Sequence, residues 1–133
     1  MGAVLDAYAL IALLGDEPAA ARVEDLLERG QATIAAINLA EALDVLERRE
    51  RIPAEALREA LEGLPLRILT AAEPEAWRAA SLRARNYHRR RRPVSIADCF
   101  LLAAAEVGDA VATGDAALLD AARAEGIEVV DLR

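Results

Sequence analysis

Four acidic side chains stand where a carboxylate is costly. Asp6 interrupts "AVLDAYALIALL", Glu41 lies in "INLAEAL", Asp98 in "VSIADCFLL" and Asp115 in "VATGDAALL". A carboxylate taken out of water must find hydrogen bonds, a proton or a cation. One use for such groups is helix capping. Asp6 and Asp115 can each cap the helix that follows, while Glu41 stands three residues after Asn38 and Asp98 three after Ser95, the spacing of a capping box. The other use is joint. Four carboxylates in one crevice repel one another unless a cation intervenes, and an oxygen-only donor set suits Mg²⁺ or Mn²⁺. One cysteine, Cys99, and one histidine, His88, leave no cluster for zinc, so Cys99 reads as a small core residue.

The elements around these residues decide between the two uses. "AVLD" (Ala3–Asp6) reads as a strand leading into a helix over Ala7–Leu14. "EPAAARVEDLLERG" reads as a helix with Pro18 in its first turn and Gly30 as its stop. Ala32–Ile37 is a second strand, followed by "NLAEALDVLERRE" as a helix capped by Asn38. Pro53 opens another helix, and Leu66–Leu69 is a short strand. "EPEAWRAASLRARNYHRR" is a long amphipathic helix with Trp77 expected on its inner face, as a core or interface residue. Ser95 opens a helix that is apolar on nearly all sides and runs toward Gly108, which places it centrally. Asp109–Thr113 is a strand, Asp115 starts a helix, and "IEVVDL" closes the sheet. Strands alternating with helices predict an α/β fold, a three-layer α/β/α sandwich around a mostly parallel sheet. In such a sheet the strand ends and the first turns of the following helices share one edge, where ligands bind. All four carboxylates can then converge.

Composition narrows the setting. A chain of 133 residues with 55% hydrophobic and 29% charged residues fits one soluble domain, residues 1–133, with a single sizeable core. A lone cysteine excludes an internal disulfide framework and points to a reducing compartment. No apolar run is long enough to span a bilayer, and the first one lacks a preceding basic region, so no membrane association and a cytoplasmic location are expected. Position 6 is also aspartate where a myristoylation motif wants Ser or Thr.

The net charge of −7 argues against whole-surface binding of nucleic acid, yet all 16 basic residues are arginine and they are clustered. "RARNYHRRRRPV" gathers Arg83, Arg85, His88, Arg89, Arg90, Arg91 and Arg92 just before Asp98. Three uses fit: a solvated helix end, contact with a phosphate backbone with Tyr87 stacking a base, or pairing with a protein partner's carboxylates. Ala and Leu on helices such as Ala19–Leu27 and Ala54–Leu64 exceed what one small core needs, which predicts a homodimer. Response-regulator receivers also place aspartates at strand ends but require a lysine, and this chain has none. Haloacid-dehalogenase-like phosphatases want a second aspartate two residues after the first, where Tyr8 stands, and usually a lysine as well.

In order and over essentially the whole chain, "VLDAYALIALL", "INLAEAL", "VSIADCFLLAAA", "VATGDAALL" and "IEVVDL" resemble a PIN domain. More narrowly they resemble the VapC-type ribonuclease toxins of prokaryotic toxin–antitoxin pairs. The resemblance implies a divalent-metal-dependent endoribonuclease that uses Mg²⁺ or Mn²⁺, cleaves RNA and is held by a cognate antitoxin. Asp6, Glu41, Asp98 and Asp115 match the family's acidic positions as catalytic residues and metal ligands, with Asp6 and Asp98 as principal ligands. Thr113 matches a small polar position that accompanies the last aspartate. Family members often carry hydroxyl residues after the first aspartate; here Ala7 and Tyr8 follow, and Tyr8 is expected beside the site or in the core. Arg85, Tyr87 and Arg89–Arg92 are expected to contact RNA or the antitoxin. Two further roles remain open under the resemblance: an RNA-processing nuclease, and a PIN-like binding module without catalysis. The absence of an appended domain favours the toxin.

Overall fold

A computed structural model of the chain describes residues 2–106 and 108–133. Five short strands, β1 (Ala3–Leu5), β2 (Ala32–Ala35), β3 (Leu66–Leu69), β4 (Ala110–Thr113) and β5 (Glu128–Asp131), form one sheet. Their order is β3-β2-β1-β4-β5 and every pairing is parallel. Val4 on the central strand stands opposite Thr33 on one side and Val111 on the other. Of the three inner strands, β1 and β2 are buried throughout, which is why they read as almost wholly apolar runs.

Among the described residues, seven α-helices cover the sheet: α1 (Ala7–Leu14), α2 (Ala20–Glu28), α3 (Ala36–Asp44), α4 (Ala54–Glu62), α5 (Glu73–Asn86), α6 (Ile96–Ala104) and α7 (Ala116–Ala124). A π-helical turn, Val45–Arg49, extends α3 and buries Leu46. Alternation along β1 separates two cores. Ala3 and Leu5 pack with Leu10 of α1 and Val23 and Leu26 of α2, whereas Val4 packs with Leu101 of α6 and Leu118 of α7. The result is the expected α/β/α sandwich. Burial of a leucine such as Leu101 contributes about 1.5–3 kcal/mol, so α6 is firmly seated where it carries Asp98. Cys99 is buried on the same helix, and burial pushes its thiol up to about 11. No described helix is long and apolar enough to cross a membrane.

Several boundaries and faces differ from the sequence reading: α2 starts at Ala20, so Pro18 precedes the helix and is not in its first turn. The second strand stops at Ala35, and α3 starts at Ala36 with no capping side chain, so Asn38 lies inside the helix. The long arginine-rich helix ends at Asn86, whose amide folds back to the Leu82 carbonyl; His88 and Arg92 then pair as an antiparallel bridge. Trp77 is not on the inner face. The buried stripe of α5 is Ala79, Leu82 and Asn86, which turns Trp77 outward to 70% exposure, its indole N–H donating to Glu73 at 3.2 Å. Finally, α6 ends at Ala104, short of the expected Gly108, and Val107 lies outside the described residues.

Candidate active site

Chain order along the sheet reverses between β1 and β4, the switch point where open α/β sheets form a crevice beyond the strand ends. Asp6 immediately follows β1, and Thr113 ends β4. Asp6 caps α1: its Oδ1 accepts the Ala9 N–H at 2.8 Å. Its Oδ2 accepts the hydroxyl of Thr113 from the neighbouring strand. That same hydroxyl oxygen accepts the Asp115 N–H at 3.0 Å. Thr113, fully buried, thus ties the first aspartate to the last across the switch point. Asp115 caps α7 through the Leu118 N–H at 3.1 Å.

Asp98 enters from α6 in a complete capping box. Its carboxylate accepts the Ser95 N–H at 2.9 Å while its own N–H donates to the Ser95 hydroxyl at 3.0 Å. Glu41 is different. Because α3 begins at Ala36, Glu41 sits in the second turn, and no capping box forms with Asn38. Instead the Asn38 amide donates to Glu41 Oε1 and to the Ala97 carbonyl of α6, both at 3.2 Å. Both acceptors fix the amide's orientation, and they fasten α3 to α6 beside Asp98. Asn38 is 1% exposed and its Oδ1 has no partner.

The sequence reading missed this link; the signal was the three-residue spacing that puts Asn38 and Glu41 on one helical face. Replacing Asn38 with alanine is expected to destabilise the fold by about 1 kcal/mol, measured by denaturant unfolding.

Asp6, Asp98 and Asp115 each cap a helix and still lie close enough for their charges to interact. Burial is the main force on Asp6, raising its carboxyl from 3.8 to about 6 even though Thr113 and the Ala9 N–H favour its charge; the charges of Asp98 and Asp115 raise it further. Burial also raises Glu41, with Asp98 adding to it, and raises Asp98, with Asp115 adding to it. The charge of Asp98 reaches both Asp6 and Glu41. Among the described residues none of the four carboxylates is paired with an arginine. Nor do any three described Asp, Glu, His or Cys side chains stand as a ready cage for an ion. The fit to a divalent cation lies in donor type and charge: hard oxygens only, one nearly buried, with repulsion that a cation would offset.

The arginine cluster divides into two sets. Arg85 forms a two-point ion pair with Glu125, and Arg92 donates to the side-chain Oδ1 of Asn86 at 3.0 Å. Asn86 also donates to Glu125 at 2.8 Å, so these residues build a network between the end of α5 and the end of α7. Arg83 stacks over Tyr87 at 4.3 Å and donates to the Val94 carbonyl at 3.1 Å. His88 Nδ1 accepts the N–H groups of Arg90 and Arg91, shaping the turn. The side chains of Arg89, Arg90 and Arg91 are exposed, and Tyr87 is half-exposed, just before the Ser95–Asp98 turn. Tyr8 lies at the crevice rim beside Gly114, and its hydroxyl makes no hydrogen bond among the described residues.

No curated protein sequence matches the chain. Solved structures do. A toxin–antitoxin complex from Klebsiella pneumoniae aligns over 99% of this chain and 98% of its own, with TM-score 0.72 and 21% identity. DNA-bound VapBC from Salmonella typhimurium aligns over 100% of this chain and 99% of its own, with TM-score 0.71 and 21% identity. FitAcB from Neisseria gonorrhoeae aligns over 98% and 97%, with TM-score 0.65 and 23% identity. At such identities the likeness is one of fold. The PIN domain profile matches the sequence itself over residues 3–124, a span holding all four carboxylates and Thr113, and on that extent the chain belongs to the PIN domain family.

Proposed function

We propose that this chain is a divalent-metal-dependent endoribonuclease and the toxin of a toxin–antitoxin pair, acting in the cytoplasm as a homodimer. The observation that carries the reading is the Thr113 hydroxyl, which joins Asp6 to Asp115 at the switch point where α6 also delivers Asp98. A capping role alone needs no such cross-strand link. Asp6 and Asp98 would hold Mg²⁺ or Mn²⁺, with Glu41 and Asp115 completing the set or orienting water. Bound there, the ion supplies Lewis acidity toward the phosphodiester and toward the attacking water.

The chain's own contribution is positional. Caps and Thr113 fix the rotamers of Asp6, Asp98 and Asp115, and Asn38 fixes Glu41, so the oxygens keep their places while charge builds on the phosphate. Arg89, Arg90, Arg91 and Tyr87 offer an adjoining track for a single strand. Arg85 and Arg92 hold that track in shape through Glu125 and Asn86. The toxin–antitoxin partnership of the structural relatives supports a cognate antitoxin as the protein partner.

The test is cleavage of a mixed RNA pool by the purified chain with Mg²⁺ or Mn²⁺, with EDTA, and by a folded Asp98→Asn variant. Cleavage lost with chelator and in the variant is the expected result. A folded native chain that binds no Mn²⁺ and cleaves no RNA would overturn the proposal in favour of a binding module. Replacing Arg89, Arg90 and Arg91 together with glutamine is expected to weaken RNA binding. It should also flatten the slope of log affinity against log salt by about 2, at about 0.7 per single-strand phosphate contact.

A further inference from the structure

Tyr8 is an aromatic side chain with no structural task that its neighbours do not already perform. On α1 the core is built by Ala9, Leu10 and Ala12, while Tyr8 keeps 39% of its surface in solvent. It stands two residues after Asp6 and meets the opposite wall of the crevice at Gly114, between Thr113 and Asp115. A Cβ added at Gly114 would come within 3.2 Å of Tyr8 Cε1 and 3.4 Å of Cδ1. The missing side chain is what lets the ring rest against the β4 to α7 turn. Gly114 does not adopt positive φ, so backbone conformation gives no reason for glycine there. On the far side the same position approaches Arg133 Cγ at 3.9 Å, and the Arg133 guanidinium is held by Asp131.

We propose that Tyr8 is a nucleobase platform: its exposed face stacks the base next to the phosphate that the carboxylate site attacks, and Gly114 is the seat that sets the ring's height. The inference rests on the ribonuclease reading and goes beyond it, because it assigns a base-binding position at the crevice itself, apart from the arginine turn. An aromatic ring stacks any base, so the position would secure a single strand without choosing its sequence.

The experiment uses the Asp98→Asn chain, in which cleavage is silenced, and short oligouridylates each carrying one 2-aminopurine. Stacking on Tyr8 should quench the fluorescence of the probe at one position of the strand. Tyr8→Leu is expected to weaken binding by about 5- to 150-fold and to abolish the quenching, as loss of one base–aromatic stack implies. Tyr8→Phe should retain both. Gly114→Ala, which leaves Tyr8 in the chain but pushes its ring off the seat, should reduce both as well. In the cleaving chain, Tyr8→Leu should raise KM more than it lowers kcat. Binding and quenching unchanged in both Tyr8→Leu and Gly114→Ala would overturn the inference, as would no binding of any oligonucleotide. The ribonuclease reading fails separately, by absence of metal-dependent cleavage in the native chain.

Discussion

Asp6→Asn is expected to reduce cleavage by at least about 100-fold while making the metal-free protein more stable. The loss follows from the position: Asp6 is the most buried of the four carboxylates and joins two others through Thr113 and charge. Removing only an outer partner of a metal ligand typically lowers activity or affinity about 10–100-fold, and removing the ligand should do at least as much. The gain follows from burial. The carboxyl's ordinary value of 3.8 becomes about 6 in the fold, a difference of about two pH units worth about 3 kcal/mol.

The direction with pH is fixed by which state keeps the proton. Below 3.8 both folded and unfolded chains are protonated at Asp6 and the penalty is absent. Between 3.8 and about 6 the unfolded chain releases its proton first, so stability falls as pH rises. Above about 6 the loss is complete. Asparagine removes this slope and should recover about 1–3 kcal/mol at neutral pH, the amide forgoing part of the cap. Chemical denaturation across pH, without metal, reads both effects. Adding Mn²⁺ should reverse the ranking, since an ion at 100 times its Kd stabilises the native chain by about 2.7 kcal/mol and has little to grip in the variant. A variant less stable than the native chain at neutral pH, with the native slope intact, would refute the account.

Asp6 also shows how much of the molecule was legible in sequence. A charge inside an apolar run is readable because few residues tolerate that position, and the same is true of Asp98 and Asp115 after their strands or caps. Strand and helix alternation announced the parallel sheet, since both faces of β1 and β2 are buried and Thr33 is their one polar side chain. What failed was local. Asn38 carries the signature of a cap, but tertiary structure uses its amide to hold Glu41 and α6, and the helix starts two residues earlier without a cap. Trp77 looked inward because it is large and apolar, yet the stripe through Ala79, Leu82 and Asn86 decides the face of α5. The arginine run looked like one surface. Its division into Arg85 and Arg92, tied to Glu125 and Asn86, and a free-standing Arg89–Arg91 turn depends on a contact forty residues away in sequence. No local pattern encodes that.

Thr113→Val is the sharpest test of the cross-strand link, because valine keeps the shape and removes only the hydroxyl. Thr113 is fully buried, so water cannot replace the lost group. Two partners are stranded at once: Asp6 Oδ2 loses a donor, and the Asp115 N–H loses an acceptor. Hydrogen bonds to charged groups contribute about 1.5–3 kcal/mol, and an unsatisfied buried group adds its own desolvation penalty, so a loss of about 2–4 kcal/mol is expected above pH 7. The loss should shrink below pH 5, because Asp6 then holds a proton and needs the donor less. Thr113→Ser, which keeps the hydroxyl, should retain most of the stability.

A double-mutant cycle isolates the pair. In the Asp6→Asn background the charge is gone, so Thr113→Val should destabilise by much less, with a coupling of about 1.5–3 kcal/mol between the two positions. Additive effects would mean that Thr113 supports β4 and nothing else, and that Asp6 and Asp115 are two independent caps. A strong coupling, with Mn²⁺ affinity falling in Thr113→Val but not in Thr113→Ser, would mean that one hydroxyl keeps the first and last carboxylates in register across the switch point, as the candidate active site requires.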